Sequence, residues 1–578
     1  MKKFLTYMKP YLAYFIIGPI LMICEVIANV QIPTVVARLI NVGAVNRDIS
    51  YIVSGGIQML FIIFFGMASG IGAAYCAAKA SVGFSCDIRT DLFRKIQKFS
   101  FANIDTFSTG SLVTRLTNDI TQVRNLVEMA MRMMLRGPGM LIGGFIMAVK
   151  LNAQLSIVFL IIVPTLALLI LAIVRTAFPR FHIMQKKLDR LNSAIQEALI
   201  NVRVIKSFVR GDYEERKFAK INEDLKNATI NAVKIILFIT PVMTLAMDIG
   251  TLAIVWFGGK GIMAGTIPVG DVVAFITYVT QILMALGMLA MVFMQSAKAV
   301  ASLNRIYEVM NATVDLTDEH AKFKEQTVQK GRIEFRDVSF QYYKHSEKKV
   351  LDHISFTISP GEFVGIIGST GCGKTTLVQM IPRLYDVDDG EVLVDGINVK
   401  DYSLQHLRDA VGMVLQKNVL FSGTIVENLK WGNDYATKAE IEKCAKVAQA
   451  DDFIQNFANQ YETELGQGGV NLSGGQKQRI CIARTLLKNP KILILDDSTS
   501  AVDTTTEAKI LQALKENFKD ITKIIIAQRI SSVMAADKII VMDNGKISGI
   551  GTHTELLQSC ETYREIYNSQ TSVGEVIA

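Results

Sequence analysis

The sequence has few cysteines, and none of them stands at the CxxC spacing of a zinc or redox site. Its seven cysteines are Cys24, Cys76, Cys86, Cys372, Cys444, Cys481 and Cys560. The number is odd, two lie in apolar runs and four lie in the second half of the chain, which argues against a disulfide framework or a zinc site. We therefore expect the second half to lie in a reducing compartment.

The sequence also lacks a signal-peptide cleavage site, internal repeats and low-complexity segments. Met1-Lys2-Lys3 precedes an apolar stretch from Tyr11, as in a secretory leader. The apolar run continues from Ile27 to Val35 without small cleavage-site residues, and further apolar runs follow. We interpret it as a first membrane helix. No peptidase domain is expected before it, so cleavage-coupled peptide export is not supported.

Long apolar runs are abundant before about residue 300. Half of the 578 residues are hydrophobic, and a run of about 20 apolar residues is enough to cross a bilayer core. Six runs reach this length, near residues 12–36, 52–80, 129–149, 154–176, 233–258 and 271–296. The predicted first domain is therefore an all-α membrane domain of six helices.

The loops between the runs differ in length and charge. The second and fourth, near 81–128 and 177–232, are long and carry basic clusters such as Lys186-Lys187. By the positive-inside rule this side is cytoplasmic, together with both termini. The same basic loops explain the net charge of +8, so no nucleic acid is expected as a partner. Helical spacing of Leu188, Leu191 and Ile195 predicts that membrane helices continue into the cytoplasm.

The composition changes after the last apolar run. A polar stretch at 313–330 indicates a linker between a membrane domain at 1–312 and a second domain at 331–578. Short β-rich runs then alternate with helical stretches, which predicts a mainly parallel sheet covered by helices. The predicted strands are Ile333–Tyr342, Phe363–Ile367, Ile492–Leu495, Lys523–Ala527 and Lys538–Met542.

A complete GxxxxGK[ST] motif lies between a predicted strand and the helical stretch Thr375–Ile381, the context that supports a phosphate-binding P-loop. Its residues, with the following threonine, are Gly368, Ser369, Thr370, Gly371, Cys372, Gly373, Lys374, Thr375 and Thr376. Backbone N–H groups and the helix N-terminus would bind phosphate oxygens, and Lys374 would neutralise them. Thr375 would bind Mg²⁺ together with Asp496, which ends the apolar strand from Ile492. The predicted ligands are ATP and Mg²⁺.

Leu472-Ser473-Gly474-Gly475-Gln476 lies between these elements and precedes a helical stretch. It resembles the signature of ABC ATPases, and with the P-loop it identifies an α/β P-loop ABC ATPase domain. The resemblance implies that Ser473, Gly475 and Gln476 contact ATP held by a second subunit.

Other positions also resemble ABC motifs. Tyr342 is similar to the aromatic residue that stacks on adenine, Gln416 to the Q-loop glutamine that contacts Mg²⁺, and Asp503 to the D-loop residue at the dimer interface. The segments 107–119 and 204–208 resemble cytoplasmic segments of type IV exporters, which include the coupling helices.

Three positions depart from the family pattern. Asp497 stands where active members have a glutamate that polarises water, and its carboxylate is one methylene shorter. Displacement of about 1 Å can reduce a rate about a hundredfold. Gln528 replaces the switch histidine and cannot carry a charge or shuttle a proton. Gln467 replaces an acidic residue. We therefore expect Asp497 and Gln528 to form a degenerate catalytic site.

These features predict a half-transporter in a bacterial plasma membrane, paired with a non-identical second half-transporter. In this hypothesis it moves a small hydrophobic or amphipathic molecule, a lipid or a peptide by alternating access. A slow homodimeric exporter, a siderophore importer of exporter fold and an ATP-binding membrane regulator remain alternatives.

Polar residues within the apolar runs are the only indications of cargo. Asp248 would attract cationic cargo or hydrogen-bond to a neighbouring helix. Arg132 and Arg136 would line a cavity or reach the cytoplasmic interface, which we favour. Glu25 leaves the same choice open.

Overall fold

The computed structural model describes residues 2–342, 348–497 and 502–575, and the chain divides into two compact units. One unit comprises Met1–Gln97 and Thr109–Asn311, and the other comprises Lys98–Ser108 and Ala312–Ala578. Each unit has its own hydrophobic core.

The first unit is helical. Its helices, numbered in chain order, are α1 (Lys2–Met8), α2 (Leu12–Arg38), α3 (Ile49–Gln97), α5 (Thr109–Thr114), α6 (Ile120–Leu151), α7 (Ile157–Ile200), α8 (Val202–Ser207), α9 (Gly211–Ile236), α10 (Ile239–Met263) and α11 (Val269–Asn311). Two π-helical turns, Leu39–Ala44 and Arg115–Asp119, precede α3 and α6.

Six helical stretches within the described residues are long and apolar enough to cross a membrane. They are Phe4–Ala44, Ile49–Gln97, Thr109–Leu151, Ile157–Ile200, Gly211–Met263 and Val269–Leu289. Each contains or overlaps one of the six predicted apolar runs. The helical extensions predicted for the second and fourth loops are confirmed, since α3 continues to Gln97 and α7 to Ile200.

A buried polar cluster joins the start of α6 to the end of α11. Asp119 is 2% exposed and accepts hydrogen bonds from Ser302 Oγ and Arg305 Nε at 2.8 Å each, and from a terminal nitrogen of Arg305. Arg115 donates to the Arg305 carbonyl oxygen at 2.9 Å. The carboxylate therefore links two helices that are far apart in sequence.

The second unit has an α/β fold. Its strands are β1 (Ile333–Phe340), β2 (Leu351–Ile358), β3 (Phe363–Gly368), β4 (Asp389–Val394), β5 (Ile397–Asn398), β6 (Val411–Val414), β7 (Gly423–Thr424), β8 (Glu464–Leu465), β9 (Ile492–Asp496), β10 (Thr522–Ile526), β11 (Lys538–Asp543) and β12 (Lys546–Gly551). Its helices are α4 (Phe101–Phe107), α12 (Lys374–Gln379), α13 (Leu404–Ala410), α14 (Ile425–Lys430), α15 (Lys438–Val447), α16 (Asp451–Gln455), α17 (Gly474–Leu487), α18 (Thr504–Asn517), α19 (His553–Ser559) and α20 (Glu561–Glu575).

The main sheet has the strand order β12-β11-β3-β10-β9-β6 in the described part of the chain. All of its strand pairs are parallel except β11 with β12, which confirms the predicted mainly parallel sheet. β1 belongs instead to a second, antiparallel sheet of order β2-β1-β4-β5. The alternation of apolar and polar residues in β1 predicts a strand, but it does not indicate which of the two sheets the strand joins.

The polar stretch after α11 is attached to the second unit. Phe323 N donates to the Asp401 carbonyl oxygen at 2.8 Å, and Leu404 N donates to Asp318 Oδ1 at 3.0 Å. The stretch therefore has little regular secondary structure, but these hydrogen bonds hold it against the second unit.

The segment Lys98–Ser108 is also part of the second unit, although the predicted membrane domain at 1–312 includes it. Its helix α4 begins with a capping box between Ser100 and Asn103. Tyr385 Oη donates to Asp105 Oδ2 at 3.0 Å, and the rings of Phe101 and Tyr385 lie 6.1 Å apart. Asn103 donates to the Thr313 carbonyl oxygen at 3.1 Å. The second unit thus includes residues from between α3 and α5.

Candidate functional site

The P-loop follows β3 and leads into α12, as the motif predicts. Two glycines are required by close contacts of its backbone. A Cβ at Gly368 would lie 2.1 Å from the Met542 carbonyl oxygen. A Cβ at Gly373 would lie 2.8 Å from the Val350 carbonyl oxygen, and the φ of Gly373 is +98°. The loop can therefore follow this path only without side chains at both positions.

Lys374 is folded back over the loop. Its Nζ donates to the carbonyl oxygens of Gly368 and Ser369 at 2.7 Å each, and it lies 3.8 Å from the sulfur of buried Cys372. A positive charge held among backbone carbonyls at the start of a helix is an arrangement suited to phosphate.

Asp496 and Thr375 form a pair suited to a divalent cation. Thr375 Oγ1 donates to Asp496 Oδ1 at 2.9 Å. Asp496 is 1% exposed, and within the described residues its Oδ2 is buried without a hydrogen-bond partner. Burial raises the pKa of the Asp496 carboxyl, which the Thr375 hydrogen bond partly offsets. Carboxylate and hydroxyl oxygens are the ligands that Mg²⁺ prefers, so the pair fits this ion.

The next residue, Asp497, is held by two glutamines. Gln528 Nε2 donates to Asp497 Oδ2 at 2.7 Å, and Gln416 provides a second side-chain hydrogen bond. Because β9 and β10 pair in parallel, Asp497 after β9 and Gln528 beyond β10 lie at neighbouring strand ends. Burial raises the pKa of the Asp497 carboxyl, and the two glutamines oppose this rise.

The motifs identified all three residues but not the contact among them. Gln416 was expected to contact the metal, and in this structure its side chain is hydrogen-bonded to Asp497. No pattern in the sequence specifies that the residue after β9 and the residue beyond β10 share a hydrogen bond.

Tyr342 lies next to the P-loop helix. Its hydroxyl is 2.9 Å from Thr376 Oγ1, and its ring meets those of Phe340 and Tyr385 edge-on at 5.0 and 5.2 Å. The side chain is 42% exposed, so a face of the ring remains available for a base.

Ser473, Gly475, Gln476 and Asp503 lie at the beginnings of two helices. Ser473 and Gln476 form a capping box at the start of α17, and Asp503 caps α18 by accepting from Thr506 N at 2.9 Å. Within the described part of the chain, their hydrogen bonds stay local and none reaches the P-loop.

Two residues in contact with the site were not found from the sequence. Arg529 donates to Thr504 Oγ1 at 3.3 Å, which joins the loop after β10 to α18. Gln570 on α20 binds the same loop through both atoms of its amide. Their contacts depend on the tertiary fold, and no local motif indicates them.

The polar residues of the helical unit have different environments. Arg136 pairs with Glu25 on α2 at 3.2 Å, and its position at the cytoplasmic interface stays a prediction. Arg132 pairs with Glu128 at 3.8 Å on its own helix. Asp248 is exposed on α10, and no ion pair or hydrogen bond involves it among the described residues. The expected alternative of a hydrogen bond to a neighbouring helix is therefore not seen among these residues.

Comparisons with known proteins cover both units. Residues 15–286 match the family model of the ABC transporter transmembrane region, and residues 351–500 match the family model of the ABC transporter. The chain is 41% identical to the uncharacterized ABC transporter ATP-binding protein YfiB of Bacillus subtilis, over 99% of this chain and 98% of that protein. It is 33% identical to the putative multidrug export ATP-binding/permease protein YgaD of the same organism, over 99% of each.

A solved structure of a bacterial Atm1-family ABC exporter with ATP bound is also similar. The two structures have a TM-score of 0.80 and 25% sequence identity, and the similarity covers 97% of this chain and 98% of that one.

Proposed function

Since this chain belongs to the ABC transporter family, with a membrane domain fused to an ATP-binding domain and the fold of an exporter, we propose that it is one subunit of a non-identical pair. The pair uses ATP to move a small hydrophobic or amphipathic molecule, a lipid or a peptide across a bacterial plasma membrane. ATP binds the closed arrangement of the two ATPase domains better than the open one, and this difference drives alternating access.

One observation carries the proposal that this chain's own ATP site is weak. The carboxylate of Asp497 is hydrogen-bonded to Gln416 and Gln528, two neutral amides that cannot accept a proton from an attacking water. It is also one methylene shorter than a glutamate. The site retains Lys374, Thr375 and Asp496, so it binds nucleotide but activates water poorly. Mg²⁺, when bound by Thr375 and Asp496, supplies positive charge beside the phosphates.

The proposal of a second subunit is supported by the placement of Ser473, Gly475, Gln476 and Asp503. These residues lie at helix N-termini, which favour anions, and none of their hydrogen bonds among the described residues reaches the P-loop of the same chain. In the pair they complete a site on the partner, whose own sequence is expected to contain the catalytic glutamate and the switch histidine.

The proposed orientation places both termini and the ATPase domain in the cytoplasm. It is supported by the basic residues in the long loops and by the segment Lys98–Ser108, which leaves the membrane unit and packs with the ATPase core. Phe208 and Val209, 74% and 88% exposed next to α8, are suited to bind a second ATPase domain.

The cargo class remains broad. YgaD, which is 33% identical, is described as a putative multidrug exporter. By analogy we propose that apolar and amphipathic compounds are the first candidates for screening.

The test is ATP turnover by the full-length chain purified alone in lipid nanodiscs. We expect slow turnover, and an increase on the order of 10- to 100-fold when Asp497→Glu and Gln528→His are combined. Asp497→Asn, which removes the charge with little change of volume, is the matched control and should abolish the residual rate while ATP binding is retained.

Two outcomes would change the conclusion. Turnover by the unmodified chain at a typical enzyme rate, about 10 per second, would refute the weak site and favour a homodimer. Because Asp497 retains a carboxylate, a slow homodimer is the next candidate. A homodimer would move cargo without any second protein. ATP binding without cargo movement by an assembled pair would favour a membrane regulator.

A further inference from the structure

One side chain of α20 holds the loop after β10 through hydrogen bonds to the loop backbone. This switch loop, residues 527–530, contains Gln528, whose amide binds Asp497. Gln570 Nε2 donates to the Gln528 carbonyl oxygen at 2.8 Å, and Ile530 N donates to Gln570 Oε1 at 2.9 Å. A single amide thereby satisfies a backbone acceptor and a backbone donor on either side of Arg529, as a neighbouring strand would.

The helix that presents Gln570 is anchored independently of the loop. Tyr563 is fully buried, and its hydroxyl lies 2.7 Å from His553 Nδ1. Ile566 and Tyr567 pack against the core of the second unit. These residues recur at three- and four-residue spacing with Gln570, so they share its helix face. Docking of α20 therefore fixes the position of the Gln570 amide.

We propose that Gln570 is a positioning residue for the catalytic site: by holding the backbone of the switch loop, it places the Gln528 amide against Asp497. The inference rests on the proposed function, because it assumes that Asp497 and Gln528 line this chain's ATP site. α20 thereby becomes a point of control, since movement of the helix releases the loop without touching nucleotide.

The consequence concerns the placement of the Gln528 amide. Gln528 Nε2 donates to Asp497 Oδ2 at 2.7 Å, and this contact requires the backbone of the switch loop to stay in place. If the loop loosens, the hydrogen bond between Gln528 and Asp497 weakens, and ATP hydrolysis slows without any change in the P-loop.

The first measurement is hydrogen–deuterium exchange of the full-length chain in nanodiscs. In Gln570→Ala, the amide of Ile530 should exchange about 5- to 10-fold faster, the effect of losing one hydrogen bond. Peptides from β3 and α12 should exchange as in the unmodified chain, which shows that the domain is folded. Glu565→Ala, an exposed substitution on the same helix, is the control and should leave the switch loop unchanged.

The second measurement is the rate of single-turnover ATP hydrolysis, with protein in excess. Gln570→Ala should lower this rate, as Gln528→Ala does. The double variant should be no slower than Gln528→Ala alone, because Gln570 acts through that side chain. A residue that only docks α20 would add its own loss of rate to that of Gln528→Ala.

The outcomes separate the two proposals. A lower rate in Gln528→Ala, with an unchanged rate and unchanged exchange in Gln570→Ala, overturns the role of Gln570 and leaves the proposed function standing. If neither Asp497→Asn nor Gln528→Ala alters hydrolysis, the site assignment itself is wrong, whatever the exchange data show.

Discussion

Asp496 and Asp497 are adjacent residues with different partners. Asp496 meets Thr375 and retains one buried oxygen without a partner, whereas Asp497 meets the amides of Gln416 and Gln528. The left-handed backbone of Asp497, with φ of +47°, turns the second carboxylate away from the strand direction. One of the two adjacent carboxylates therefore lies in an environment suited to a metal ion, and the other is hydrogen-bonded to amides.

The Asp496 environment gives a pH prediction. Burial raises the pKa of this carboxyl, and Mg²⁺ requires its ionised form. Metal binding should therefore release a proton, and Mg²⁺ affinity should fall as the pH is lowered through the raised pKa. We expect Mg²⁺-dependent ATP binding, measured by calorimetry in two buffers of different ionisation enthalpy, to show this proton release.

Asp496→Asn is the control for this prediction, because it has no ionisable carboxyl. It should bind Mg²⁺ weakly at every pH and show no proton release. Mg²⁺ affinity that does not fall as the pH is lowered in the unmodified chain would contradict the prediction.

At the scale of residues, the sequence predicts which residues line the site better than it predicts which of them contact one another. The P-loop and Asp496 follow from motif spacing because the motif itself defines the local backbone. The hydrogen bonds among Gln416, Asp497 and Gln528 join three separate segments, and the bonds of Gln570 come from a fourth. Such contacts depend on how strands and helices are arranged, which no local spacing encodes.

At the scale of elements, α6 and α11 are joined through Asp119. Because this carboxylate is buried and accepts from Ser302 and Arg305, its replacement leaves polar groups without a partner. We expect Asp119→Asn to destabilise the helical unit by about 1–3 kcal/mol, measured as a lower Tm in detergent.

The matched control is Glu128→Gln. It removes a carboxylate from α6, the helix that follows Asp119, but the Arg132–Glu128 pair is 3.8 Å long and partly exposed, so its contribution should be below about 1 kcal/mol. An equal decrease of Tm in both variants would show that the Asp119 cluster has no special role.

Element prediction succeeded where composition and length dominate. The six apolar runs and the strands β3, β9, β10 and β11 follow from hydrophobic length and β-branched residues. β1 was predicted as a strand, but its membership of the antiparallel sheet depends on pairing with β2 and β4. Pairing partners are non-local, so periodicity alone could not identify them.

At the scale of the whole molecule, Asp248 indicates a surface that lipid does not cover. α10 packs through Gly250, Ile254 and Gly258, and Asp248 lies on the opposite, exposed face with Leu252. A carboxylate facing lipid is costly, so we propose that this face meets a second subunit or an aqueous cavity in the assembled transporter.

We expect Asp248→Asn to weaken the stimulation of ATP hydrolysis by cationic amphiphiles about tenfold, the effect of one partly buried charge pair. Stimulation by neutral amphiphiles should change little. Leu252→Ala, on the same face, is the control and should affect both classes alike. An unchanged response to cations would assign Asp248 to the contact between subunits.

The boundary between the two units is not a single position in the chain. Lys98–Ser108 belongs to the ATPase unit, with Asp105 bonded to Tyr385, although more than 200 residues separate it from Ala312. A chimaera that exchanges ATPase domains at a single junction near residue 312 would therefore combine the α4 of one protein with the ATPase domain of another. Grafting 98–108 together with the C-terminal portion would transplant a complete, self-consistent module.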